Sequence, residues 1–275
     1  MGTLFLVATP IGNLEDMSPR AIRILREVKL IAAEDTRHTR QLLTHFDIHT
    51  PLTSYHEHNK LSRLDAILGA LDQGDVALVS DAGTPAINDP GYELVRAVIG
   101  SRHMVSPVPG PSAPIAALSI SGLPTDAFLY LGYLPRKTSE RKALFSQVGS
   151  LAYTLIFLES PHRVLDSLKD MQAALGDREM AAARELTKIY EQVVRGRISQ
   201  VMDHFLKNEP RGEFVLIIGG QLDEPDSGTW SEQEVKSAIQ VGLNEGRPAR
   251  DIAVDLSQKS GWARREIYKM VVENK

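Results

Sequence analysis

Short apolar runs alternate with longer stretches of helical patterning from the N-terminus to about residue 220. The first run, Leu4 to Ala8, is closed by Thr9-Pro10-Ile11-Gly12-Asn13. An apolar run bounded by Pro and Gly predicts a buried strand. Ser18-Pro19 then offers an N-cap and a proline at the first helical position, followed by Ala21, Ile22, Ile24, Leu25 and Val28. Further strands are predicted at Leu30 to Ala33, at 76–80 and near 103–107. Between them come a helix containing Gln41, Leu42, Leu43 and Phe46 and another over about 61–72. A third is opened by Asp89-Pro90-Gly91 and runs through Leu94, Val95 and Val98, and a fourth starts at Pro109 to Pro114. This half reads as doubly wound α/β.

The second half repeats the alternation, with strands predicted at 127–133, 153–158, 179–185 and 213–219 and helices at 139–148, 162–175 and 197–207. Their order in a sheet is not fixed by the pattern. The Pro- and Gly-rich stretch 110–126 is the expected hinge between two α/β lobes, 1–116 and 117–222. Leu222-Asp223-Glu224-Pro225-Asp226-Ser227-Gly228 reads as a linker. Beyond it, 230–275 carries only helical patterning: Val235, Ile239 and Leu243, then Ile252, Ala253 and Leu256, then Ile267, Met270 and Val271. Gly246-Arg247-Pro248 and Ser260-Gly261 divide it into three short helices. These suit either a helix-turn-helix-like module or a packing appendage.

The stretch Ser80-Asp81-Ala82-Gly83-Thr84-Pro85 directly follows the apolar run Val76 to Val79. In open α/β sheets ligands bind outside the carboxyl ends of the strands. Gly83 permits close backbone approach, Pro85 stiffens the exit, and Ser80 and Thr84 supply hydroxyls. Similar turns close other strands: Thr9 to Asn13, Pro109 to Pro114, Glu159-Ser160-Pro161-His162 and Arg184-Glu185-Leu186-Thr187-Lys188. Each alone is compatible with an ordinary tight turn. Together they point to a ligand held by backbone groups and small side chains in a mostly preformed cleft.

Composition narrows the chemistry. The chain has no cysteine, which removes disulfides, thiolate metal sites and a cysteine nucleophile and fits a cytoplasmic protein. The apolar N-terminal run lacks a basic flank and is too short for a signal or membrane segment. The net charge of −4 means that any polyanionic partner must be met by local basic patches. Two exist, Arg37-His38-Thr39-Arg40 and Arg136-Lys137 with Arg141-Lys142 around Glu140. A patch this small is commonly a solvated face. No G-x-G-x-x-G follows the first strand, and there is no phosphate-binding G-x-x-x-x-G-K-[ST] and no G-x-S-x-G elbow. His45, His49, His56 and His58 lack metal-ligand spacing, so no metal is expected.

Several of these blocks together resemble the tetrapyrrole methylase superfamily. They are Leu6-Val7-Ala8-Thr9-Pro10-Ile11-Gly12-Asn13-Leu14, Ala33-Glu34-Asp35-Thr36-Arg37, Ser80 to Pro85 and Pro109-Gly110-Pro111-Ser112-Ala113, with Leu158 to Arg163 and Ala183 to Lys188 later. The resemblance covers about residues 3–220 and is nearest the branch that methylates ribosomal RNA, whose helix-turn-helix-like tail the C-terminal helices also resemble. Asn88 stands after Ile87 where that pattern has Ser. The resemblance implies S-adenosylmethionine bound in a cleft between two α/β lobes, a homodimer, and 2′-O-methylation of a cytidine in the decoding centre of 16S rRNA in the 30S subunit. It implies a donor pocket of Pro10, Ser80, Asp81, Ala82, Gly83, Ile87, Ser112, Ala113, Ala183 and Arg184.

Transfer of a methyl group to a ribose hydroxyl needs alignment and a base or cation for the forming alkoxide. Asp35, Glu159, Glu185 and Lys188 are the candidates near the expected cleft, with Glu185 or Lys188 preferred. The alternatives are that Arg184 and Glu185 pair with each other or across the dimer, and that Asp35 with Arg37 holds the RNA backbone. RNA contact is expected from Arg37, Arg40, Arg136, Lys137, Arg141, Lys142, Arg264 and Arg265. Two other classes stay open: a methyltransferase of small tetrapyrroles, and a non-catalytic RNA-binding protein that keeps the fold.

Overall fold

A computed structural model describes residues 2–56, 60–89, 91–221 and 230–273, with only the backbone for Lys60 and Leu61. The linker expected at 222–228 lies outside the described residues, as do His58 and Pro90. Residues 1–149 with 153–219 form one compact unit holding both sheets, and 220–275 with 150–152 form a second.

The first sheet contains β1 (Thr3–Val7), β2 (Leu30–Ala33), β3 (Leu52–Ser54), β4 (Val76–Val79) and β5 (Met104–Val108). All pairs are parallel, in the order β3-β2-β4-β1-β5. Its helices are α1 (Pro19–Glu27), α2 (Thr36–His45), α3 (Lys60–Leu71) and α4 (Gly91–Gly100). Successive side chains of a strand point to opposite faces, and the core divides accordingly. Ile31, Ala33, Ala77 and Val79 pack with Ile24, Leu25 and Leu43 on one face, while Ala32, Val76 and Leu78 pack with Ile67, Leu71, Leu94 and Val98 on the other. Apolar contacts on both faces explain why these strands read as continuous runs. Ser18 caps α1 as expected, its Oγ accepting from the Ala21 N–H at 3.1 Å.

α5 (Ala113–Ser119), within the stretch expected as a hinge, leads to the second sheet. This contains β6 (Phe128–Tyr133), β7 (Thr154–Glu159), β8 (Glu179–Arg184), β9 (Gln192–Arg197) and β10 (Phe214–Ile218), in the order β6-β7-β10-β8-β9. Helices α6 (Thr138–Val148), α7 (Val164–Leu175) and α8 (Ile198–Lys207) complete this half. β6 runs parallel to β7, and β10 lies antiparallel between β7 and β8, with Phe214 opposite both Glu159 and Arg184. That register gathers the ends of β7 and β8 and the start of β10 at one edge of the sheet. One face packs Ile156, Ala181, Val215 and Ile217 against Ala117 and Leu118 of α5. On the other, edge-to-face pairs Phe145–Phe157 and Phe205–Phe214 dock α6 and α8.

The second unit carries three helices, α9 (Glu232–Asn244), α10 (Ala249–Ser260) and α11 (Arg264–Glu273), around Val235, Ile239, Ile252, Leu256, Ile267 and Val271. Gly246 (φ 72°) and Gly261 (φ 69°) take the left-handed conformation at the two breaks predicted from sequence. Among the described residues no helix is long and apolar enough to cross a membrane.

Candidate functional site

The loops that leave the carboxyl ends of the first sheet face the gathered edge of the second, and a cavity of about 460 Å³ lies between them. β2 and β4 are neighbours with Ala33 opposite Val79, so their exits, Glu34-Asp35 and Ser80-Asp81, start side by side. The Asp81 carboxylate accepts from the Asp35 N–H at 3.0 Å and ties the two loops. Gly83 pairs with Thr9 through two backbone bonds of 2.9 and 3.0 Å, fixing the exit of β4 to that of β1. Its φ of 82° is one that residues with a Cβ rarely adopt.

Nine of the ten expected donor-pocket residues line this cavity. Ser80, Asp81, Ala82, Gly83 and Ile87 come from the exit of β4, Ser112 and Ala113 from the start of α5, and Ala183 and Arg184 from β8. Pro10 lines an adjoining cavity instead. The Arg184 guanidinium donates to Gln192 Oε1 at 2.7 Å and to the Arg211 carbonyl at 3.2 Å, which aims it along the sheet edge.

Glu185 and Lys188 also line the cavity, 3.0 Å apart at Oε1 and Nζ. Glu185 therefore takes Lys188 as its partner in place of the expected Arg184, whose guanidinium goes to Gln192 and Arg211. Glu185 and Thr187 have φ of 51° and 66°, and Ala86 and Asn88 across the cavity have 68° and 63°. Non-glycine residues held in this region mark segments whose geometry the surroundings impose. Gly12 is one such constraint. A Cβ there would lie 2.5 Å from Lys188 Cγ, 2.7 Å from Thr187 Oγ1 and 2.8 Å from the Leu186 carbonyl oxygen, so the β1 exit rests directly on the 186–188 loop.

Two other expected acids have structural partners. Asp35 caps α2, accepting from the Arg37 N–H at 2.8 Å, and pairs with the Arg37 guanidinium at 2.8 Å. Those hydrogen bonds hold its carboxyl well below the usual carboxylate range, which suits a cap and weakens it as a base. Glu159 is a correction to the sequence reading. It is fully buried, accepting from Ser160 N–H at 2.7 Å and Ser167 Oγ at 2.6 Å and pairing with Arg163 at 2.6 Å, and it lines no part of the cavity.

The basic residues separate likewise. Arg37, Arg40, Arg136, Lys137, Lys142, Arg264 and Arg265 are exposed. Arg141 departs from the expected surface patch. It is buried and gives its guanidinium to Asp170 at 2.5 Å, to the Pro135 and Arg136 carbonyls and to Thr138 Oγ1.

Sequence reasoning missed part of the wall. Glu34, Asp89, Tyr130, Tyr133 and Glu213 all line the cavity. Burial, then the charges of Asp81 and Asp89, push the Glu34 carboxyl up. Burial also raises Asp89, whose Oδ1 accepts from the Ala86 and Gly91 N–H groups while the buried Oδ2 has no hydrogen-bond partner among the described residues. Tyr133 donates to Glu213 at 3.2 Å, and burial with that carboxylate pushes its hydroxyl up to about 12. Among the described residues no group of acids and histidines could hold a metal ion.

The cavity carries acids from both halves, Glu34, Asp81 and Asp89 from the first and Glu185 and Glu213 from the second, with apolar contact at Ile11, Leu158, Leu186 and Val215. Its size is that of a pocket for a small organic ligand. Carboxylates beside apolar side chains fit a ligand with a cationic centre and an apolar portion.

Comparison with known proteins bears on this geometry. Residues 3–202 match the family model described as Tetrapyrrole (Corrin/Porphyrin) Methylases. The chain is 45% identical over 275 residues to the ribosomal RNA small subunit methyltransferase I of Synechocystis sp., covering 99% of this chain and 98% of that protein. It is 49% identical over 223 residues to the protein of the same name from Pseudomonas aeruginosa, covering 80% of this chain and 79% of the relative. Among solved structures, a diphthine synthase superposes with a TM-score of 0.64 at 13% identity, over 80% of this chain and 90% of the other. The uroporphyrin-III C-methyltransferase of Thermus thermophilus, complexed with S-adenosylhomocysteine, superposes with a TM-score of 0.54 at 20% identity, over 79% and 97%. These likenesses to solved structures show the shared fold.

Proposed function

The chain belongs to the tetrapyrrole methylase family and, within it, to the ribosomal RNA small subunit methyltransferase I group, and from this premise we propose that it methylates a ribose 2′-hydroxyl. Its methyl donor is S-adenosylmethionine and its substrate class is ribosomal RNA. The acceptor we infer is a cytidine of the 16S rRNA decoding centre in the assembled 30S subunit, reached by a cytoplasmic homodimer. The observation that carries the reading is the cavity itself, in which the motif-bearing loops of both sheets converge and each half supplies acids.

Bound there, S-adenosylmethionine would supply the methyl group, its sulfur keeping the electron pair of the broken bond as the ribose oxygen bonds to the carbon. Glu34, Asp81 and Asp89 would complement a sulfonium charge, and Ile11, Ile87 and Leu186 would give the donor apolar contact. The Lys188 ammonium stabilises the developing alkoxide, and the Glu185 carboxylate beside it takes the hydroxyl proton. Ser80, Gly83 and Ser112 hold the donor in line.

Labelled S-adenosylmethionine offered with 30S subunits, free 16S rRNA and a porphyrinoid separates the open readings. Label is expected in 30S rRNA. Label in the porphyrinoid supports a tetrapyrrole methyltransferase, and donor binding absent by calorimetry supports a non-catalytic binding protein.

A further inference from the structure

A second cavity, of about 410 Å³, adjoins the first and shares Ile11, Asp81, Ala82 and Lys188 with it. Pro10, Leu14 and Leu42 make part of its wall apolar, and His38, Gln41 and Lys188 supply polar groups. His38, Gln41 and Leu42 sit on α2 at i, i+3 and i+4, the spacing that puts side chains on one helical face. Gln41 also lines a surface groove with Arg37 and Arg40. A continuous path thus runs from two exposed arginines, past Gln41, to the wall of the donor cavity.

We propose that this second cavity receives the acceptor nucleoside, with α2 as the element that reads it. The proposal rests on the ribosomal RNA reading above and adds where the substrate lies. In-line transfer needs oxygen, carbon and sulfur nearly collinear, with reacting atoms about 3–3.5 Å apart. Donor and acceptor must then occupy spaces that share a wall, as these two do. Sequence-specific RNA recognition targets unstacked nucleotides, whose bases pack against side chains while polar groups read their edges. Pro10, Leu14 and Leu42 provide the apolar contact, and Gln41 and His38 the edge contacts. Arg37 and Arg40 meet the flanking phosphates. The ribose then lies at Lys188, the charged residue common to both cavities besides Asp81.

Gln41 is exposed on α2, so Gln41→Trp fills the mouth of the second cavity without disturbing the core. Donor titration and single-turnover methylation of 30S subunits are measured for the wild type, Gln41→Trp and Leu14→Trp. We expect unchanged donor affinity and methyl transfer lowered on the order of 100-fold in both variants. Unchanged transfer, or donor affinity lost in parallel with transfer, overturns the assignment. If the wild type itself labels no RNA, the ribosomal RNA reading has failed and this inference falls with it. Failure in the variants alone leaves that reading standing.

Discussion

Lys188 Nζ lies 3.0 Å from Glu185 Oε1, and Lys188 borders both cavities while Glu185 borders only the first. On the proposed assignment, the pair stands where an acceptor oxygen and a methyl donor would meet. Proton acceptance by a positioned group contributes roughly 100- to 10,000-fold, and one donor stabilising a developing oxyanion roughly 100- to 1,000-fold. Lys188→Met and Glu185→Gln are expected to lower the single-turnover rate within those ranges while donor affinity by calorimetry stays near the wild-type value. Full rates in both variants would remove the pair from the chemistry.

Gly12 tests the contact between the two halves. Because a Cβ at this position meets the 186–188 loop at 2.5–2.8 Å, Gly12→Ala must displace Lys188. Overpacking of this kind costs about 1–3 kcal/mol, visible in chemical denaturation. The rate is expected to fall more than stability alone explains, on the order of 100-fold for a shift of about 1 Å. A Gly12→Ala protein of normal rate would show that the loop adjusts freely.

Glu34 gives a pH signature. Its folded-state pKa is raised, by burial first and then by Asp81 and Asp89. A raised carboxyl stabilises the fold fully below its unfolded pKa and loses that contribution as pH rises through the folded one. Glu34→Gln should therefore melt above the wild type at neutral pH, with the gap closing as pH falls through the raised folded-state pKa and gone below about 4.3. Donor affinity should rise with pH over the Glu34 titration, because a sulfonium favours the ionised acid, and this dependence should flatten in Glu34→Gln. A melting gap that widens toward low pH would contradict the sign.

Arg141 and its exposed neighbours should behave oppositely. Removing one member of a buried ion pair costs about 3–5 kcal/mol, so Arg141→Ala is expected to lower stability by that order through the orphaned Asp170. Neutralising Arg136, Lys137 or Lys142 should leave stability nearly unchanged. Each that meets a phosphate should instead lower the salt dependence of RNA binding by a slope of about 1. Filter binding across a salt series, with denaturation of the same variants, distinguishes the two groups.

Much of the fold was legible because its strands are buried on both faces and end in Pro- and Gly-rich turns. β2 matches its predicted bounds, and β4 ends one residue short of its prediction. β3 escaped because it has three residues, and β9 because Gln192-Val193-Val194-Arg195-Gly196-Arg197 is a largely polar edge strand. The donor wall was legible where it is built from local turns. Tyr133 and Glu213, 80 residues apart, have no local signal, and Glu34 was masked by its charged neighbours. Arg141 looked like a surface cation because its partner Asp170 is 29 residues away. The second cavity was invisible for the same reason: α2, the β1 exit and Lys188 meet only in three dimensions.

The central claim is transfer to a ribose oxygen, and alkaline hydrolysis of the labelled rRNA tests it most directly. A 2′-O-methyl group removes the hydroxyl that attacks the neighbouring phosphate, so that linkage survives alkali. The label is expected in an alkali-resistant dinucleotide beginning with cytidine. Label recovered in ordinary mononucleotides would place the methyl group on a base and contradict the account.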